Sequence, residues 1–218
     1  MLKSLYPEVD WESIHAVGFD MDGTLYDEAI FISQCYVPIS QCLAAAGCGD
    51  AEAIRRRMFL RWLERGSSYT RIFMEIIDGA HIADGTELER QCVELFRSFI
   101  PKLALTPRVE MLLEHIAAAY PIFLLSDGSA RLQRAKFDAL RLDRWFKDEN
   151  LAISGQYGAD FQKPGVGMIG KIEIMASGIA PNNVVYFGDR DIDTEFSRAA
   201  GFQHVRVHTM VRVSMDKK

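Results

Sequence analysis

The chain has 218 residues, of which 49% are hydrophobic and 25% are charged. This composition excludes a largely disordered protein, and the length allows one large core or a core that carries a smaller inserted domain. The formal net charge is −5, whereas binding to a nucleic-acid backbone favours an excess of basic residues. We therefore expect no nucleic-acid partner.

The sequence also gives no indication of a membrane location. Met1–Glu8 lacks the apolar stretch of a signal peptide, and no run approaches the ~20 apolar residues of a spanning helix. The four cysteines show neither the paired spacing of a metal site nor a disulfide framework. We expect a cytoplasmic protein, without a membrane partner, whose thiols are buried or idle.

The first predicted strand, Ile14–Asp20, runs directly into an acidic segment. From Asp20 the sequence reads Asp-Met-Asp-Gly-Thr-Leu. Asp20 and Asp22 are two residues apart, so on a strand they point to the same side, and Gly23 permits a sharp turn after them. This pair of carboxylates is a candidate for catalysis or for binding a cation.

The next segment has helical rather than strand periodicity. We predict four helices between Glu28 and Pro101, at Phe31–Ala45, Ala51–Arg65, Tyr69–Ile77 and Leu88–Phe99. A helical block between two strands of one sheet indicates an insertion. The sequence therefore predicts a core formed by residues 1–27 and 102–218, with a helical domain at 28–101.

After the insertion, predicted strands alternate with predicted helices. The strands are Ile122–Ser126, Leu151–Ser154, Val184–Phe187 and His204–Val207, and the helices are Leu112–Ala119, Ala130–Leu140, Val166–Ser177 and Thr194–Ala200. Such alternation predicts right-handed crossovers and a parallel sheet. The predicted fold class is α/β, with a Rossmann-like, doubly wound parallel sheet and an inserted α-helical domain.

Three polar residues, at the end of the second predicted strand and after the third, are further candidates for the site. Ser126 ends that strand and Asp127 follows it, at a helix start where a hydroxyl and free backbone N–H groups can bind an anion. Lys163 precedes Pro164, and proline is favoured in the first turn of a helix. Taken alone, such residues are more often capping or solvated side chains.

The fourth strand leads into a second acidic cluster. Gly188 follows Val184–Phe187, and Asp189, Asp191 and Asp193 come next. In a doubly wound sheet, functional groups collect at the carboxyl ends of the strands. An acidic cluster that directly follows a buried strand, and that faces another acidic strand end, favours cation binding over a solvated loop.

Taken in order, these four segments resemble the motifs of the haloacid dehalogenase superfamily of phosphotransferases. The hexapeptide from Asp20 matches the first motif, Ser126 the second, Lys163 the third, and Asp189 with Asp193 the fourth. The resemblance implies the strand order 3-2-1-4-5, in which the first and fourth strands are neighbours. It also implies that segment 28–101 is a cap domain.

By similarity to that family, Asp20 is the nucleophile that becomes an aspartyl phosphate. Asp22 protonates the leaving alkoxide and then activates the hydrolytic water. Ser126, Asp127 and Lys163 would bind the phosphoryl group of the substrate.

The resemblance also implies a Mg²⁺ site. The ion would be bound by Asp20, the backbone carbonyl of Asp22, and Asp189, while Asp193 would orient Lys163 or a metal-bound water. The physical argument agrees, because two adjacent carboxylates repel each other unless a cation lies between them.

The implied function is that of a Mg²⁺-dependent phosphatase acting on a small phosphorylated metabolite, such as a sugar phosphate or a nucleotide. Asp22 disfavours dehalogenation, because relatives that cleave carbon–halogen bonds lack this second aspartate. Many related phosphatases have Asn at the position of Asp127 and Ser at that of Arg190, so the subfamily stays open.

Three other interpretations remain. A phosphoglucomutase-like phosphotransferase shares the two-aspartate chemistry but returns the group to a second hydroxyl. A response-regulator receiver also uses Asp, Mg²⁺, a hydroxyl and Lys, but places its Asp on a later strand and lacks a large helical insertion. A catalytically silent relative would act only in binding or regulation.

Overall fold

The computed structural model describes residues 2–82 and 84–207. The described chain forms two compact units. The first contains the residues up to Glu28 and from Leu103 onwards, and the second contains Ala29–Lys102. Each border lies one residue later in the chain than the sequence predicts.

The first unit is built on a five-stranded sheet. Its strands are β1 (Ala16–Phe19), β2 (Ile122–Ser126), β3 (Leu151–Ile153), β4 (Val184–Gly188) and β5 (Gln203–Arg206), in the order β3-β2-β1-β4-β5. Each neighbouring pair is parallel. The predicted fold class and strand order are therefore confirmed. In the central strand, Val17 is in register with Ile122 on one side and Val185 on the other.

The three central strands are buried along their whole length. Every residue of β1, β2 and β4 is buried, as expected for a parallel sheet with helices on both faces. Phe19, Phe123 and Tyr186 are among the largest buried side chains. Burying an apolar side chain of this size contributes about 1.5–3 kcal/mol relative to exposure. The packed sheet therefore holds the polar residues at its strand ends in fixed positions.

The α-helices agree with the prediction to within a few residues at most boundaries. They are α1 (Leu2–Leu5), α2 (Glu28–Ala45), α3 (Ala51–Arg65), α4 (Ile72–Ala80), α5 (Gly85–Arg97), α6 (Pro107–Ala119), α7 (Ala130–Ala139), α8 (Glu173–Ala176) and α9 (Asp191–Ala200). The short α1 was not predicted. None of the helices in residues 2–82 and 84–207 is long and apolar enough to cross a membrane.

The prediction of one continuous helix over Val166–Ser177 is wrong. The segment instead forms a 3₁₀ helix at Gly167–Lys171 and then α8, and the residue between them, Ile172, has an extended backbone. Glycines at 167 and 170 weaken an α-helix here. Gly167 also packs against a ring, since a Cβ there would lie 2.9 Å from Cδ1 of Phe161.

The described residues of the second unit fold as the helices α2–α5. Cys35 and Cys92 are buried in its core, and all four cysteines of the chain are free thiols. The side chain of Gln34 joins the first helix of this unit to its last residue through two hydrogen bonds. Its side-chain amide donates to the carbonyl of Lys102 and accepts from the N–H of Lys102, both at 2.9 Å.

Candidate active site

The carboxyl ends of β1 and β4 bring two predicted aspartates together. Asp20 directly follows β1, and its backbone N–H donates to the carbonyl of Phe187 at 2.9 Å. Asp189 directly follows β4. Because Phe19 is in register with Phe187, both strands end at the same height. The polar side chains that follow them therefore lie at one edge of the sheet.

Three carboxylates converge at this edge. Oxygens of Asp20, Asp189 and Asp193 all lie within 4.8 Å of one another. The hydroxyl of Thr24 lies 3.4 Å from Oδ2 of Asp20 and 3.5 Å from Oδ1 of Asp189. The close approach depends on Gly23, which has φ of +76° and at which a Cβ would overlap the carboxylate of Asp189.

Lys163 lies inside this acidic cluster. Its Nζ donates to Oδ1 of Asp20 and to Oδ1 of Asp193, both at 2.6 Å, and its side chain is fully buried. The hydroxyl of Tyr186 lies 3.3 Å from the same Nζ. The backbone of Lys163 is fixed as well, because its N–H donates to both carboxylate oxygens of Asp127 at 3.2 Å.

Burial dominates the electrostatics of the acidic cluster. It raises the pKa of Asp20 to about 7, even though Lys163 acts in the opposite direction, and it raises the pKa of Asp189. For Lys163, burial lowers the pKa, but Asp20, Tyr186 and Asp193 outweigh it and hold the pKa well above its ordinary value. A cation bound between Asp20 and Asp189 would offset this effect of burial, because it stabilises the ionised carboxylates.

A second cation lies near the same carboxylates. Burial lowers the pKa of the Arg190 guanidinium, but Asp20 and Asp193 outweigh it, so the pKa is raised. Nε of Arg190 is buried without a hydrogen-bond partner among the described atoms. The backbone N–H of Arg190 donates to Oδ2 of Asp193 at 3.1 Å. The residue that departs from the common motif is thus part of the site.

Asp22 lies in a different network from Asp20. Lys136 Nζ donates to its Oδ1 at 2.7 Å, and Gln133 Nε2 donates to its Oδ2 at 2.7 Å. The hydroxyl of Tyr26 also donates to Oδ1. Burial acts to raise the pKa of the Asp22 carboxyl, but Lys136, Tyr26 and Gln133 outweigh it, so the pKa is lowered.

Gln133 connects Asp22 to the end of β2. Its Nε2 also lies 2.7 Å from Oγ of Ser126 and 2.8 Å from the carbonyl oxygen of Asp127. Ser126 is buried. The predicted residues therefore form two adjoining sets. One contains Asp20, Lys163 and the fourth-motif aspartates, and the other contains Asp22 and Ser126.

The sequence model of the haloacid dehalogenase-like hydrolase family matches residues 14–201 of this chain. This range includes every residue of both networks. The chain belongs to the haloacid dehalogenase-like hydrolase family. A search of curated protein sequences gave no match.

Solved structures of haloacid dehalogenase-like hydrolases share the fold. A subfamily IA, variant 1 hydrolase from Geobacter sulfurreducens is 17% identical, with a TM-score of 0.66, and the match covers 89% of this chain and 87% of that one. A Thermotoga maritima protein provisionally assigned as a beta-phosphoglucomutase is 20% identical, with a TM-score of 0.62 and coverage of 90% and 87%. The magnesium-bound hydrolase YfnB from Bacillus subtilis is 16% identical, with a TM-score of 0.61 and coverage of 89% and 86%.

The side chains of this haloacid dehalogenase-like hydrolase fit a magnesium ion. Carboxylate oxygens are ligands that Mg²⁺ prefers, and Asp20 and Asp189 supply them close together. The side chain of Asp193 already accepts from Lys163 and from the backbone of Arg190, which suits an orienting residue. The carboxylate of Asp22 lies outside the acidic cluster, and the metal contact expected of Asp22 was through its backbone carbonyl.

Sequence reasoning missed several residues of the site. Tyr26, Gln133, Lys136 and Tyr186 contact Asp22 or Lys163 but lie outside the four motifs. Only the spacing of Gln133 and Lys136, three apart on one helix face, could have indicated a shared environment. Asp127, predicted to bind substrate, uses its carboxylate to hold the backbone of Lys163.

Proposed function

We propose that this chain is a phosphoric monoester hydrolase that uses Mg²⁺ and forms an aspartyl phosphate on Asp20. The observation that carries the proposal is the placement of the Asp20 carboxylate. It lies beside the buried ammonium of Lys163 and within 4.8 Å of oxygens of Asp189 and Asp193. A nucleophilic carboxylate among cation-binding groups at a strand end suits attack on an anionic ester.

The chain's own residues supply positive charge and position to the reaction. Lys163 would bind a phosphoryl oxygen while it holds Asp20, and the hydroxyl of Ser126 would bind another. Phosphoryl transfer depends mainly on such positioning and charge neutralisation. Arg190 would add a second fixed positive charge near the same carboxylates.

Asp22 would move the protons. It would give a proton to the leaving oxygen when Asp20 attacks phosphorus, and it would accept one from the water that hydrolyses the aspartyl phosphate. These roles need a carboxyl that is close to Asp20 but is not tied to the same cation. In the separate network, the donors Lys136, Gln133 and Tyr26 favour the ionised form of this carboxyl, which suits it to accept the proton of the water.

The magnesium ion would be held by Asp20, Asp189 and the backbone carbonyl of Asp22, with Asp193 as an orienting residue. When bound, Mg²⁺ neutralises negative charge between enzyme and phosphoryl group. The fit of the acidic cluster supports this assignment, and the similar hydrolase from Bacillus subtilis binds magnesium.

We infer that the substrate is a small phosphorylated metabolite. The second unit, Ala29–Lys102, would act as a cap that limits access to small molecules and excludes water during the reaction. Movement between domains is known for the similar Bacillus subtilis hydrolase. Such a cap would disfavour a folded phosphoprotein as substrate.

The direct test is a screen of several dozen phosphorylated metabolites with Mg²⁺, which compares the wild type with Asp20→Asn. We expect phosphate release by the wild type and loss of at least about 10³-fold in kcat in the variant, because the nucleophile is removed. The matched control is Asp191→Asn, an exposed aspartate of the fourth motif that pairs with Arg206. Equal activity of Asp20→Asn and the wild type would refute the assignment of the nucleophile.

A phosphotransferase is the second candidate, since the Thermotoga maritima protein with a similar fold is provisionally assigned as a beta-phosphoglucomutase. The same screen separates the two functions. A hydrolase releases phosphate steadily from a simple ester, whereas a mutase forms an isomeric sugar phosphate and releases little phosphate. A catalytically silent relative would show neither product, although it could still bind Mg²⁺.

A further inference from the structure

Helix α7 presents a buried cation to the second aspartate of the first motif. Gln133 and Lys136 lie three residues apart on this helix and therefore share a face. Both are buried, and the side chains of Lys136 and Asp22 are only 3% and 13% exposed. A lysine is rarely buried unless its charge is paired.

Stability alone does not explain a buried ammonium at this position. Removing two charges from water is costly, and a well-packed apolar pair is often as stable as a buried ion pair. The neighbouring positions of α7 show that apolar residues suit this face, since Leu132 and Phe137 are also buried there. The ammonium of Lys136 is paired with Asp22, to whose Oδ1 it donates at 2.7 Å.

The contacts of Asp22 give its carboxylate one defined orientation. Lys136 and Tyr26 donate to Oδ1, while Gln133 donates to Oδ2. All of these neighbours act as donors, so the carboxylate is placed as an acceptor. An acceptor is what a general base must be when water gives up a proton.

We propose that Lys136 is a positioning residue for the second chemical step, the hydrolysis of the aspartyl phosphate. In this step a water oxygen bonds to phosphorus, the bond between phosphorus and Asp20 breaks with its electron pair on Asp20, and the water proton passes to Asp22. Lys136 orients Asp22 for that transfer and balances its charge. The inference rests on the proposed function, because it requires a phosphorylated Asp20.

The test uses p-nitrophenyl phosphate with Mg²⁺ and the variants Lys136→Met and Lys136→Arg. Nitrophenolate is a good leaving group, so the first step needs little help from an acid and the second step can be seen separately. For Lys136→Met we expect a burst of nitrophenolate, followed by a steady rate about 10- to 100-fold below that of the wild type. This loss is smaller than the full contribution of a general base, because Asp22 itself is retained. Acid quenching should show more phosphoenzyme, and Lys136→Arg should recover most of the rate.

Arg134→Met is the matched control, since Arg134 lies on the same helix but pairs with Asp148 at the surface. We expect it to keep wild-type kinetics. If Lys136→Met does not fold, Lys136→Gln takes its place, because glutamine keeps a hydrogen-bond donor but loses the charge. Equal rates and equal phosphoenzyme levels for the Gln and Arg variants would overturn the proposal.

The outcomes separate this inference from the proposed function. A wild type that forms phosphoenzyme and releases phosphate, together with a folded Lys136→Met that does both at the same rates, would remove only the role of Lys136. A change in KM with kcat unaltered would also remove it. A wild type that never forms phosphoenzyme would remove the proposed function and this inference together.

Discussion

At the scale of single residues, the acidic cluster depends on the absence of one side chain. Gly23 follows the two aspartates of the first motif and has a left-handed backbone conformation. A Cβ at this position would overlap the carboxylate of Asp189. Glycine thus allows a turn from one strand end to approach an aspartate from another, and the spacing of the carboxylates follows from that approach.

Gly23→Ala tests this dependence. We expect a loss of about 1–3 kcal/mol in the free energy of unfolding from backbone strain, and a fall of at least about 10-fold in Mg²⁺ affinity, equal to about 1.4 kcal/mol, because Asp189 must move. Calorimetric titration with Mg²⁺ and denaturant unfolding measure the two effects.

The control for backbone strain is Gly178→Ala. Gly178 has φ of +80° and has nothing within 4 Å of a Cβ built on it. This variant should lose stability but keep its Mg²⁺ affinity. If both alanine variants bind Mg²⁺ as the wild type does, the close packing of Gly23 on Asp189 does not shape the cation site.

The residues of the site differ in how far sequence could predict them. Asp20, Asp189 and Lys163 were identifiable because each follows or precedes a recognisable element within an ordered set of motifs. Lys136 was not, because a lysine on a helix is usually solvated. Only the packing of α7 shows which of its faces is buried.

At the scale of elements, the second unit has an ion pair that joins two helices. Arg61 of α3 donates through Nε and Nη2 to the two carboxylate oxygens of Glu75 on α4, at 2.8 and 2.6 Å. The hydroxyl of Tyr69 also donates to Glu75. These hydrogen bonds lower the pKa of Glu75 from 4.5 to about 2, and those from Arg61 have the largest effect.

The pH dependence of stability follows from this shift. A carboxyl whose pKa is lowered on folding stabilises the protein above its unfolded pKa and loses that effect as the pH falls through its folded pKa. The difference in unfolding free energy between wild type and Glu75→Gln should therefore be constant above about pH 5 and shrink between about pH 4.5 and pH 2. Chemical unfolding at several pH values in this range measures the difference. The control is Glu195→Gln, which alters an exposed residue of α9 and should differ from the wild type by the same amount at every pH. A difference that stayed constant down to pH 2 would contradict the role of the pair.

Secondary structure was predictable where the pattern of apolar residues was strong. The bounds of β2 and α3 agree with the predicted ones, because a buried strand and a helix with a capping aspartate both leave clear signals. The prediction of a helix over Val166–Ser177 was wrong because the apolar residues of this segment have helical spacing while its glycines weaken a helix. Gly167 also packs closely on the ring of Phe161, a contact that helical periodicity does not predict.

At the scale of the whole molecule, the chain folds as two compact units, and the second is a single insertion into the first. The predicted insertion at 28–101 rests on a helical block that interrupts an alternating pattern of strands and helices. The proposed role of the insertion as a cap concerns substrate size, which only activity measurements can establish.

Substrate size gives the corresponding prediction. The best metabolite from the screen should be hydrolysed with a kcat/KM at least about 100-fold above that of a folded phosphoprotein, because a closing cap selects by access to the site. An unfolded phosphopeptide of the same phosphorylated sequence is the control for the chemistry of the ester. Faster turnover of the folded phosphoprotein than of every metabolite would contradict the cap hypothesis.

The side-chain amide of Gln133 has fewer protons than it has acceptor oxygens around it. The amide nitrogen carries two protons, yet three acceptor oxygens lie within 2.8 Å of it, on Asp22, Ser126 and Asp127. One of the three must therefore go without a proton from Gln133 at any moment. A substrate oxygen that accepts from the hydroxyl of Ser126 leaves the lone pairs of that hydroxyl facing the amide, so Ser126 would continue to compete with Asp22 and Asp127 for the two protons of Gln133.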